Sequence, residues 1–174
     1  MKRFLLYAVL FLSFPGPSVF AEAISQAQSV TVHVPSFLNL GGSSSSVDLA
    51  FQDNQAGSET NALTVTYTVN SNSMSQGDGA PTVSAYLNDS FEGIDFKASF
   101  GNFSKGGGNT ELAPAVPGFV VIGSAPTVLA TKANSTGDGK VLRGQFPITY
   151  QASARSQLAS GDYTRQLTLT LTDI

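Results

Sequence analysis

The sequence predicts an all-β protein: one antiparallel β-sandwich of about nine strands. Two observations carry this. Apolar residues alternate with polar ones over short runs rich in Val, Thr, Phe, Tyr and Ile, and period two is the signature of a half-buried strand. The runs are separated by Gly, Pro, Asn, Asp and Ser, the residues that turns require, and helical spacing is absent beyond the first 20 or so positions.

The opening stretch is set apart from the fold. Lys2 and Arg3 precede an apolar run from Phe4 to Phe14, Pro15-Gly16-Pro17 breaks it, and Ala21-Glu22-Ala23 supplies small residues for cleavage. This is the three-part pattern of a secretory signal peptide, and the run falls well short of the roughly 20 residues that cross a bilayer. The expected organisation is therefore a leader over 1–23, removed on export, and a sandwich domain over 24–174. The expected location is the periplasm, the extracellular surface or the medium, with no stable membrane insertion. A domain of that size buries about two-thirds of its chain surface and needs no staples, which fits a chain of 174 residues with no cysteine.

The strands are expected at Val30–Val34, Val47–Phe51, Leu63–Val69, Thr82–Leu87, Ile94–Phe100, Phe119–Ile122, Thr127–Thr131, Gly144–Tyr150 and Tyr163–Thr172. The third is the clearest: Leu63, Val65, Tyr67 and Val69 share one face and Thr64, Thr66 and Thr68 the other. The last repeats the device with Tyr163, Arg165, Leu167, Leu169 and Leu171. The expected core comprises Val65, Tyr67, Val69, Phe96, Phe146, Ile148, Leu167 and Leu169, and at most a turn of helix is expected near Ala152–Leu158. Turns are read at Gln76–Pro81 and Ser135–Gly139, a flexible loop at Lys105–Asn109 and a mobile connection at Gly41–Ser46.

Composition excludes several chemistries. With no cysteine there is no thiolate or disulfide, and zinc lacks the ligands it prefers. A net charge of −3 with scattered Lys and Arg offers no basic face for nucleic acid. His33 is the one histidine and hence the one imidazole base, but no Gly-x-Ser-x-Gly nucleophile motif accompanies it; it is read as an exposed strand residue beside inward Val32 and Val34. Asp89, Glu92 and Asp95 cluster around a turn, and a glycosidase built on two of them is the remote alternative, since such sites need carboxyls about 5 to 10 Å apart. Asp78 and Asp138 occupy Gly-Asp-Gly turns that offer at most weak calcium sites and read first as turn geometry. Phe91, Phe100 and Phe103 flank loops and are candidates for a flat carbohydrate platform. Asn-x-Ser/Thr triplets at Asn88, Asn102 and Asn134 are read as chance matches in an Asn- and Ser-rich chain. The reading is a non-catalytic protein with no catalytic, cofactor-binding or metal-binding residues assigned.

The most specific local pattern is Leu158-Ala159-Ser160-Gly161-Asp162-Tyr163 followed by Leu167-Thr168-Leu169-Thr170-Leu171-Thr172. It looks like the tyrosine corner of immunoglobulin-like sandwiches, in which a strand-opening Tyr bonds upstream backbone. A Gly-x-Tyr leading into an alternating terminal strand also resembles the ending of secreted bacterial pilin-like domains, including the spore coat U-like subunits. That resemblance implies an exported surface or fimbrial-type structural or adhesive subunit whose partners are further copies of itself or an export chaperone. It also implies assembly in which residues 24–34 of one subunit, with Ile24 entering and Val30, Val32 and Val34 as alternating plugs, complete the sheet of the next. The chain lacks the disulfide common among such domains and carries Arg165 where an acidic or small residue is usual. A monomeric secreted module binding carbohydrate or protein is the alternative.

Overall fold

The computed structural model describes residues 29, 31–74 and 77–172. The expected leader, Ile24 and Val30 lie outside them. The chain divides into two units at Val34/Pro35. Of the first unit, Thr31–Val34 belong to no strand, and Val32 and Val34 are 79% and 70% exposed. The expected first strand at Val30–Val34, with inward valines, is thus corrected over its described residues.

The second unit is an all-β sandwich of two antiparallel sheets, with no helix among the described residues. Its ten strands among the described residues are β1 (Leu38–Gly42), β2 (Leu63–Ser71), β3 (Pro81–Leu87), β4 (Ile94–Phe100), β5 (Ser104–Gly108), β6 (Glu111–Pro114), β7 (Val120–Val121), β8 (Thr127–Ala133), β9 (Leu142–Ala154) and β10 (Leu167–Leu171). One sheet runs β1-β2-β9-β4-β7, with β5 also on β9; the other runs β10-β3-β8-β6.

The 13-residue β9 is the spine. One of its edges pairs with β2 from Leu142↔Ser71 to Tyr150↔Leu63. Its other edge pairs with β4 from Ile148 onward and with β5 at Gln145 and Gly144. Pro147 sits where that second edge changes partner. Its carbonyl accepts from the Gly101 amide at 2.8 Å, and because a strand residue's N–H and C=O point the same way, its missing donor faces the break between β4 and β5. The crossing is tight: a Cβ on Gly101 would lie 2.6 Å from the Pro147 ring, and one on Gly144 2.4 Å from the Ser104 carbonyl.

Alternation places the core. Val65, Val69, Phe96, Ala98, Phe100, Phe146, Ile148 and Tyr150 point inward from the first sheet, against Val83, Ala85, Leu87, Leu112 and Leu129 from the second. Rings tile the first sheet's inner face, with Phe100 stacked on Phe146 at 4.8 Å, Tyr67 on Phe146 at 5.7 Å and Phe96 on Tyr150 at 5.6 Å. Of the expected core, Tyr67, Leu167 and Leu169 are only half-buried.

Other expectations are corrected. Lys105–Gly108 lie in β5 and Gly41–Gly42 in β1, each where a ladder holds glycines that carry no side-chain pattern. Ala152–Ala154 end β9 in place of a helical turn. Val47–Phe51 alternates as expected but forms no strand beyond a single bridge from Phe51 to Thr60. Tyr163–Gln166 lies outside β10, which begins at Leu167.

Candidate functional site

The sandwich is open along one flank. β10 pairs with β3 through Leu167↔Leu87 to Leu171↔Val83 and has no described strand on its other edge. Its inward leucines, Leu167, Leu169 and Leu171, pack on the core yet stay half-buried. Facing them across the opening is the segment after β1. The Ser43 amide still donates to Thr66 of β2 at 2.8 Å, and Phe51 meets Thr60 again. Between these points the chain leaves β2, its turn stabilised locally by Ser44 Oγ, which donates to the Ser46 carbonyl and accepts from the Ser46 amide. Val47, Leu49 and Phe51 nevertheless turn inward while Ser46, Asp48 and Ala50 face out. Two apolar rows, one from Val47 to Phe51 and one of Leu167 and Leu169, thus flank the same opening, and among the described residues no strand pairs between them.

The opening is a cleft of about 1460 Å³. Tyr67, Phe96, Ile94, Ala152 and Leu158 are among the residues that line it. Behind this lining Tyr150 is fully buried, and its hydroxyl shares a hydrogen bond of 2.8 Å with that of Tyr67. Burial, reinforced by that bond, holds the Tyr150 phenol neutral well above the usual phenolic range. The rim is polar. Arg165 packs over the Phe91 ring at 5.5 Å and pairs with Asp89 at 3.6 Å.

The remaining candidates fall elsewhere. His33 is exposed. Asp89 and Asp95 each face their own cation, Arg165 and Arg155 (3.2 Å), while Glu92 borders a small hollow of about 260 Å³ with Tyr163. Of the three phenylalanines read as a carbohydrate platform, Phe100 is buried in the core, and Phe91 and Phe103 are half-buried against it. Phe103 covers Gly144, which has no side chain to displace it.

Asp78 and Asp138 clamp loops. Both oxygens of Asp78 accept from the Ser135 amide and one from its hydroxyl at 2.5 Å, and Ser135 Oγ in turn meets Thr110 Oγ1 at 2.7 Å. Asp138 accepts from Asn109 Nδ2 at 2.6 Å and from the Lys140 amide. These donors, the Ser135 hydroxyl first for Asp78 and the Asn109 amide first for Asp138, hold both carboxyls below the usual range.

Tyr163 donates its hydroxyl to the Ala159 carbonyl at 2.9 Å, the upstream bond expected of a tyrosine corner. The residue is 41% exposed, so this bond lies at the surface. Sequence reasoning did not find the cleft, although its two walls are the alternating runs at Val47–Phe51 and Leu167–Leu171. No family model, curated protein or solved structure matches this chain.

Proposed function

We propose that this chain is an exported, non-catalytic surface or fimbrial-type structural or adhesive subunit, and that its open flank takes residues 24–34 of a second copy as an added strand. One observation carries the reading: two unpartnered apolar rows face one cleft, so a single strand laid between them covers both. Backbone groups on the free edge of β10 then gain partners, and alternate side chains of the guest fill the cleft. The lengths agree. Leu167–Leu171 offers three inward leucines over five residues, and Val30–Val34 offers three valines over five. In the described part of that segment, Val32 and Val34 are exposed and hence available to a partner. The N-terminal pattern of Lys2, Arg3 and the apolar run to Phe14 supports export.

The test combines sizing with capture of a labelled peptide spanning residues 24–34. Wild-type protein is expected to form concentration-dependent oligomers. Val32→Asp should leave it monomeric, and Leu169→Asp should abolish peptide capture, because a carboxylate cannot be desolvated against the partner's valines. A wild-type protein that stays monomeric and ignores the peptide overturns the reading and leaves the monomeric binding module.

A further inference from the structure

The entry of the chain into the sandwich is held more firmly than its exposure warrants. Pro35, Ser36 and Phe37 are all exposed and precede β1. Yet the Asn72 side chain, just past the end of β2, accepts from the Phe37 amide at 2.7 Å and donates to the Pro35 carbonyl at 2.9 Å. The Phe37 carbonyl accepts in addition from the Asn72 amide at 3.2 Å and from Ser73 Oγ at 3.5 Å. Four hydrogen bonds converge on the Pro35 carbonyl and the Phe37 peptide groups, in a stretch whose three residues are all exposed. The Asn72 carboxamide works here as an extra peptide group. It offers one acceptor and one donor, spaced to prolong the β1–β2 ladder beyond Leu38↔Ser71. Pro35, which has no N–H, presents only the carbonyl that this geometry uses. Solvent-exposed polar bonds contribute little to net stability, so what this set supplies is position.

We infer that Asn72 is a positioning residue that fixes the point from which the chain upstream of Pro35 extends. This rests on the proposed function for its purpose. A strand handed to a second copy spans a definite gap, and freeing Pro35–Phe37 adds about 10 Å of slack to the bridge. Slack of that length loosens the joint between two subunits linked by the donated strand.

The experiment uses the wild-type chain, Asn72→Ala and Asn72→Asp. It reads amide exchange at Phe37 and the mobility of a single nitroxide at Ser36→Cys, a label made specific by the absence of other thiols. Asn72→Ala is expected to speed Phe37 exchange on the order of tenfold and to mobilise the label, with the melting midpoint and capture of the 24–34 peptide unchanged. Asn72→Asp keeps the acceptor for Phe37 but loses the donor to Pro35, so it should mobilise the label while leaving Phe37 protected. This variant carries the test if the alanine form fails to fold. Unchanged exchange and label mobility in the variants overturn the inference. A wild type that never captures the peptide defeats the functional reading instead, while the label still reports whether Asn72 holds the chain.

Discussion

The middle of the sandwich and its β10 flank are built from the same kind of sequence and end in different states. Phe146 and Ile148 on β9 and Leu167 and Leu169 on β10 all sit at inward positions of alternating strands. The first two are fully buried and the second two are not. Among the described residues β9 has neighbours on both edges, whereas β10 has one. What separates a core residue from a half-wet one is therefore the number of strands beside it, and hydrophobicity alone does not decide it.

The contrast can be broken most forcefully at the centre. Phe146→Ala removes a ring that stacks on both Phe100 and Tyr67 and should cost about 3 to 5 kcal/mol in chemical denaturation. Leu169→Ala, at an equivalent inward position on the flank, should cost only about 1 to 2 kcal/mol in the isolated subunit, because part of its surface is already in water. If an added strand covers the flank, the Leu169 cost should rise toward the central value when the 24–34 peptide is present. Equal costs at both positions without peptide would show that the flank is closed in solution.

Acid should loosen the molecule at its loop clamps and leave both regions of the apolar interior unaffected. Asp53, Asp78, Glu111 and Asp138 all have lowered carboxyl pKa values, held chiefly by Ser58, Ser135, Asn134 and Asn109 respectively. A depressed folded-state pKa gives stability that is full above the unfolded value near 4 and is lost as pH falls through the lower folded value. The melting temperature should thus be flat from pH 7 to about 5 and fall below 4, and Asp78→Asn should flatten part of that fall. The smallest effect is expected at Tyr163→Phe, whose exposed bond to Ala159 should shift stability by no more than about 0.5 kcal/mol.

How far the sequence reveals this arrangement depends on what a pattern can encode. β4 was legible end to end, because Ile94, Phe96, Ala98 and Phe100 bury one face against polar partners on the other. β5 was not, since three of its five residues are glycines and all are exposed; its ladder with β9 is a backbone property without a side-chain trace. Val47–Phe51 and Tyr163–Gln166 fail in the opposite sense. Val47–Phe51 does alternate in burial, but a strand also needs a partner and this segment peels from β2; Tyr163–Gln166 is exposed throughout and is held by Asn88, Asp89 and Phe91 through Gln166 and Arg165. The cleft has no pattern of its own for the same reason, being an edge beside which the described residues place no strand. Asn72 carries no signal at all, because one carboxamide after a strand looks like any turn residue.

The position of β9 in the chain has a consequence in time. Every neighbour of this spine in the first sheet is made before it, and Tyr67 waits for Tyr150 across 83 residues. During synthesis β2, β4 and β5 have no central strand to pair with, so the sheet closes only once residues beyond Leu142 have emerged. Pairings this distant make folding slow. A nascent chain that compacts late leaves its apolar strands uncovered for longer, and uncovered strand edges are where chains associate wrongly.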